Sequence, residues 1–297
     1  MSGLKGMVRD AQNAVVNIDR EKMNRGKIIR VFPRRTKWTP TDDLAFVGEP
    51  PLFNLPDLPI LISVTFTWDI KKGIELGYSW QKRYSRHSVQ LSGPALQVGS
   101  SDLPFVSSIF IKSGVIFTSR GCPKQCPWCL VPKREGQLIE INIENGYIVQ
   151  DNNLFACSRS HIEKVFDMLS HQKQGIKFSG GLDIDYLEPW HIELLKKIKV
   201  DELWVSCDTE KGLKRLAKAR DLFSDFSIEK RRCYVLIGFD GDTVDKAERR
   251  CQAVYDDERG FLPMAMFYQP GLSYRTVPKE WRYVQWKYSR PAVYRKK

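Results

Sequence analysis

Apolar positions along this chain follow two rhythms, short unbroken runs and longer stretches with a helical repeat. Runs at 28–32, 59–66 and 88–91 read as buried strands, and 69–83 reads as a helix, so the last three make one βαβ unit. Between the first two runs, Pro33, Pro40, Gly48, Pro50, Pro51, Pro56 and Pro59 predict an irregular loop or lid. Residues 1–26 lack a strong period and predict an amphipathic or disordered extension. From residue 115 the two rhythms alternate. Strands are expected at 115–118, 176–179, 202–206, 233–239 and 263–268, with helices at 160–172, 188–198, 210–222 and 243–255. The first of these helices opens with the capping-box pattern Ser160-His161-Ile162-Glu163. The β-rich stretch 138–149 predicts a hairpin insertion turning at Glu144-Asn145-Gly146. Such alternation implies α/β architecture with parallel strands covered by helices. The expected divisions are 1–26, a small α/β unit over 27–110, a larger α/β unit over 111–275, and a basic aromatic segment over 276–297.

Composition narrows the class. A chain of 297 residues that is 42% apolar can bury one large or two moderate cores. No apolar run approaches the roughly 20 residues of a membrane span, and the charged start, with Arg9, Asp10, Asp19, Arg20 and Glu21, has no signal segment, so a cytoplasmic protein is expected. Seven cysteines, three of them in one loop, fit a metal site in a reducing compartment better than a disulfide framework. The scattered Cys157, Cys207, Cys233 and Cys251 are expected as buried thiols. A net charge of +12, from 47 Lys plus Arg against 35 Asp plus Glu, favours an anionic partner such as RNA, DNA or a phosphorylated metabolite.

The chemistry concentrates in Arg120-Gly121-Cys122-Pro123-Lys124-Gln125-Cys126-Pro127-Trp128-Cys129. Three thiolates at spacings of four and three suit three corners of an iron-sulfur cube, leaving one iron without a protein ligand. A structural zinc site would need a fourth ligand, for which Cys157 and His161 are the nearest downstream candidates. A thioredoxin-like dithiol would use Cys126 and Cys129 and leave Cys122 unexplained. Covalent haem attachment fails because Leu130, not His, follows Cys129.

Cys122-x3-Cys126-x2-Cys129, with Trp128 before the third cysteine, resembles the signature of the radical S-adenosylmethionine superfamily. The resemblance implies a partial parallel (β/α) barrel over about 115–270, usually of six strands, against the five counted above, which leaves a sixth to be found in the hairpin or near the C-terminus. It implies a 4Fe-4S cluster on Cys122, Cys126 and Cys129, and S-adenosylmethionine chelating the fourth iron with Trp128 against its adenine. It further implies reductive cleavage to a 5′-deoxyadenosyl radical that abstracts hydrogen, and an electron donor such as flavodoxin or ferredoxin. Ser179-Gly180-Gly181-Leu182-Asp183, after the second strand of the alternation, resembles the family's Gly-Gly-Glu element, with Asp183 one residue late and shorter than the usual acid. Ser206 and Asp208 resemble the polar residues that hold the ribose hydroxyls or the methionyl carboxylate, while Asp208 is equally placed to cap the helix near Glu210. Residues 237–242 fall where the family has an adenine contact, with Asp240 and Asp242 expected as loop and cap residues.

The unit at 27–110 resembles a truncated cobalamin-binding domain. The Asp-x-His-x-x-Gly loop of such a domain is missing, since His87 is the sole histidine before His161, and this argues against cobalamin. The histidines suggest helix packing, not a triad. Met264, Met266 and Tyr268 alternate along the last strand, so that one face could enter the barrel, with core packing the favoured role of the two methionines; Trp281, Tyr283, Trp286 and Tyr288, interleaved with Arg282, Lys287 and Arg290, could stack bases, with packing favoured. The substrate is open, with RNA or a nucleotide permitted by the charge. The alternative reading is a basic nucleic-acid-binding protein with a structural metal loop and no catalysis.

Overall fold

A computed structural model describes residues 28–96, 107–256, 259–269 and 277–295; the extension expected over 1–26 lies outside the described residues. The chain divides into two compact units, Met1–Ser113 and Gly114–Lys297.

In the first unit the described strands are β1 (Ile29–Phe32), β2 (Ala45–Val47), β3 (Ile60–Ser63) and β4 (Val89–Ser92), in the order β2-β1-β3-β4 with every pairing parallel. Helix α1 (Ile70–Arg83) connects β3 to β4 and turns Gly73, Leu76 and Trp80 inward at spacings of three and four, with Ile74 beside them, which keeps one face apolar. The core joins Ile29, Val31, Ile60, Ile62, Leu76 and Trp80, and the Trp80 indole N–H is satisfied by Gly48 O at 3.0 Å. β2 lies inside the proline-punctuated stretch read above as irregular. Its three residues are too few to show a period, and they sit at the sheet edge, where Pro40 and Pro50 on either side cost no ladder bonds.

The second unit is built on β5 (Val115–Ile116), β8 (Ile148–Val149), β9 (Ile176–Phe178), β10 (Val200–Ser206), β11 (Arg231–Ile237) and β12 (Leu262–Phe267). These six lie side by side in chain order and pair in parallel throughout. Between them run α2 (Arg159–Ser170), α3 (Pro189–Lys196), α4 (Glu210–Leu222) and α5 (Val244–Tyr255), and α6 (Lys279–Tyr288) follows β12. A separate antiparallel pair joins β6 (Ser119–Arg120) to β7 (Ile139–Glu140). The hairpin expected over 138–149 is therefore two different things. Ile139–Glu140 folds back on Ser119–Arg120, and Ile148–Val149 supplies the sixth parallel strand. A two-residue strand carries no readable alternation, so the pairing depends on contacts with β5 and β9.

β11 shows how one face is sealed: Arg231, Cys233, Val235 and Ile237 are buried and Arg232, Tyr234 and Leu236 are only half-buried. β12 alternates likewise, and this corrects the expectation for its methionines. Ala265 is buried in the main core, while Met264 and Met266 are 38% and 45% exposed on the opposite face. Helix starts follow cap chemistry. Ser158, Thr209 and Thr243 cap α2, α4 and α5, each side chain accepting from the backbone N–H three residues on. The α2 cap is Ser158, two residues earlier than the Ser160 pattern predicts, because Ser158 has the extended backbone that brings its hydroxyl onto His161 N. No helix of the described residues is long and apolar enough to cross a membrane.

Candidate functional site

The cysteine loop leaves β5 through Thr118 and Ser119, both fully buried, and one buried carboxylate holds the two in place. Asp151 accepts from Thr118 N at 2.6 Å, Thr118 Oγ1 at 2.5 Å and Ser119 Oγ at 2.8 Å. Burial pushes the Asp151 carboxyl up, and these donors oppose it. Beyond this anchor, Arg120 pairs with Glu135 at 2.8 Å, Gly121 N donates to the same carboxylate at 3.2 Å, and Cys122 N donates to Gly136 O at 3.3 Å. A turn closed by Cys129 N on Cys126 O, 3.0 Å, brings the second and third cysteines together. Cys122, Cys126 and Cys129 are half-buried free thiols. Among the described residues no group of three or more His, Cys, Asp and Glu side chains is arranged around a single metal ion. Thiolates that each bind a different iron of a cube do not need to converge on one point.

The loop is tied to the ends of three neighbouring strands. From the segment after β8, Asn153 Nδ2 donates to Cys122 Sγ at 3.5 Å and to Asp183 Oδ2 at 3.1 Å. From the segment after β9, Asp183 and Asp185 both receive Lys124 Nζ, at 2.6 Å each, and Arg215 pairs with Asp185. Burial works to lower the Lys124 ammonium, but the two carboxylates outweigh it and hold it above the ordinary lysine value. After β10, Asp208 accepts from Leu236 N at 3.2 Å and from the Trp128 indole; burial nevertheless keeps its carboxyl raised. Burial also raises the Cys126 and Cys129 thiols, and Lys124 pulls Cys126 back down. A bound cation would invert that balance by favouring the thiolates.

Of the residues singled out in the sequence, Trp128, Asp183 and Asp208 thus meet at the cysteine loop. Gly180 and Gly181 stand beside them with different duties. A Cβ on Gly180 would lie 2.1 Å from Asp151 O, so this glycine lets two strand ends pack closely. Gly181 has φ of +108° and nothing within 4 Å of where a Cβ would sit, so it is the member of the pair that faces open space. The pair closes the third strand of the parallel sheet, not the second as counted from sequence, because β8 takes the second place. Ser206 is exposed at the end of β10. The capping role open to Asp208 is corrected, since Thr209 caps α4. Beside Trp128, Asp208 and Phe239 lies a cavity of about 390 Å³ that is also lined by Lys246, Arg249 and Arg250 of α5. Trp128 meets Phe239 edge-on at 5.5 Å, and Phe239 meets Tyr268 at 4.9 Å. Asp242 accepts from Gly238 N at 2.9 Å and from Arg250 at 2.7 Å, which makes it a loop brace, and Thr243 is the cap.

Sequence reasoning missed Lys124, Asp151, Asn153 and Asp185. The available signal was the polar run Gln150-Asp151-Asn152-Asn153 directly after Ile148-Val149, which is a strand end once β8 is recognised. Of the two candidates for a fourth zinc ligand, Cys157 is buried with its thiol pushed up to about 11, and His161 Nδ1 lies 3.7 Å from Glu140. His191 is buried against Trp190 and Phe155 and accepts from Glu188 N, a packing and capping role. At the C-terminal end Val284 and Tyr288 are buried and Trp281 packs on the core, whereas Tyr283 and Trp286 are exposed. No protein-family model matches this chain, and no curated protein matches it.

Proposed function

We propose that this chain is a radical S-adenosylmethionine enzyme, its six-stranded parallel sheet a partial barrel and its three-thiol loop the seat of a 4Fe-4S cluster. The observation that carries the reading is the placement of Cys122, Cys126 and Cys129 on one loop just after the first parallel strand. The segments after the second, third and fourth strands reach that loop through Asn153, Asp183 and Asp208. Ligand groups of α/β barrels collect at this end of the strands. The donor set fits the cluster: three soft thiols in one loop, a side-chain N–H aimed at a sulfur, and open space in front of Gly181. When bound, the cluster and S-adenosylmethionine supply reductive cleavage of the sulfonium and a 5′-deoxyadenosyl radical for hydrogen abstraction.

The chain's own residues then bind and orient. The three thiolates would hold three irons, Gly180, Gly181 and Asp183 would receive the methionyl amine, Ser206 and Asp208 would receive the ribose hydroxyls or the carboxylate, and Trp128 would lie against the adenine. Flavodoxin or ferredoxin is the proposed class of electron donor, RNA or a nucleotide the proposed substrate class from the +12 charge, and the cytoplasm the proposed compartment. Cobalamin has no part in the reading.

The test is anaerobic purification with iron and sulfide analysis, then dithionite and S-adenosylmethionine with assay for 5′-deoxyadenosine. The expected result is a brown protein with about four irons that forms 5′-deoxyadenosine, both properties lost in Cys126→Ala. Cleavage retained by a well-folded Cys126→Ala protein would refute the reading. The nucleic-acid-binding alternative draws on the net charge and on exposed Tyr283 and Trp286, with Arg290 over the Trp286 ring at 5.4 Å. It requires a colourless zinc protein with steeply salt-dependent RNA binding.

A further inference from the structure

We infer that Asn153 is a positioning residue that sets the reduction potential of the cluster by donating one N–H to the Cys122 sulfur while its second N–H is held by Asp183; the inference rests on the reading above. The residue is 2% exposed, and its Nδ2 lies 3.5 Å from Cys122 Sγ and 3.1 Å from Asp183 Oδ2. Its Oδ1 is buried and has no hydrogen-bond partner among the described residues. Leaving a buried acceptor unmade is unfavourable, so the carboxamide is oriented by what its nitrogen gains. The reversed amide would set an oxygen against a sulfur and a carboxylate, neither of which has a proton to offer once ionised.

The backbone fixes where this side chain starts. Asn153 O accepts from Ala156 N at 3.2 Å in a 3-10 turn over Leu154–Ala156, and Leu154 and Phe155 of that turn are buried in the main core. The donor is therefore carried on a packed element, as a tuning group needs to be. Asp183 completes the restraint, because Lys124 Nζ grips the same carboxylate at 2.6 Å from within the cysteine loop. A ring thus runs from Cys122 through Asn153 and Asp183 to Lys124, two residues from where it began. An N–H pointed at a ligand sulfur favours the more negative, reduced cluster, and hydrogen bonds to the sulfurs are among the determinants of potential.

The experiment is an anaerobic redox titration of the iron-loaded full chain, followed by electron paramagnetic resonance, for the wild type, Asn153→Leu and Asn153→Ala. Leu keeps the branched shape and number of side-chain heavy atoms, Ala does not, and both remove the donors. The expected result is full iron loading and a midpoint more negative by about tenfold in the one-electron equilibrium, about 59 mV. A midpoint equal to wild type in either loaded variant overturns the inference and leaves the enzyme assignment standing. A variant that cannot be loaded also overturns it in favour of a purely structural role, since all three thiols remain. A wild-type chain that takes up no cluster overturns both.

Discussion

Replacing Asp151 by Ala should loosen the cysteine loop at its root. The carboxylate is 1% exposed and accepts three hydrogen bonds at 2.5–2.8 Å from Thr118 and Ser119, which are themselves fully buried. A buried donor left without a partner costs about 1–3 kcal/mol. The two hydroxyls can rotate toward other acceptors, but the Thr118 N–H cannot, so one full penalty and part of two more are incurred. Removing a buried carboxylate also relieves its own desolvation. The net expectation is about 2–4 kcal/mol of destabilisation from these terms. For a unit of this size that corresponds to a fall in Tm of roughly 4–16 °C. The assay is thermal unfolding of the full chain by far-UV circular dichroism, paired with iron uptake, because Cys122 follows Ser119 by three residues. Asp151→Asn, which keeps one acceptor oxygen, should fall between Ala and wild type. A Tm within about 1 °C of wild type, with iron uptake unchanged in Asp151→Ala, would show that the anchor carries no such weight.

In the metal-free, reduced protein, Cys122, Cys126 and Cys129 should react with a thiol reagent well before the other four. Cys157, Cys207, Cys233 and Cys251 are buried, and burial lifts their thiols, to about 12 at Cys207 and Cys251. A fourth fast thiol under native conditions would contradict this. Gly180→Ala should destabilise by about 1–3 kcal/mol through overpacking, since the new methyl would meet Asp151 O, and should lower iron uptake as well. Gly181→Ala strains only its own backbone, so equal iron loss in the two variants would argue against the separate roles. Glu202 is held below its ordinary 4.5: burial works to raise it, and hydrogen bonds from Lys177 and Trp204 outweigh that. A lowered folded value adds stability above pH 4.5 that is lost as the pH falls through the folded pKa. Glu202→Gln should therefore flatten the acid limb of the pH–stability curve, and an unchanged limb in denaturant titrations would count against the pair.

Alternation from residue 115 onward was legible because strands such as β11 and helices such as α4 are long enough to display a period, and the α4 bounds agree with those read from sequence. β2 and β8 were not legible, at three and two residues. Missing β8 moved the Gly180-Gly181 pair one strand out of place and left the Asp151–Asn153 segment as the sequel to a supposed hairpin instead of a strand end. The cysteine loop itself was plain, since its three cysteines lie within eight residues and their spacing is a local property.

Local chemistry and periodicity in the sequence therefore determined the class of architecture, the candidate ligand set and most helix bounds, because each depends on residues a few positions apart. Tertiary structure alone decided which polar side chains surround those thiols. Cys122, Asn153 and Asp183 are separated by 31 and 30 positions, and no pattern within a window encodes their meeting. They meet because consecutive parallel strands return each βα turn to the same end of the sheet.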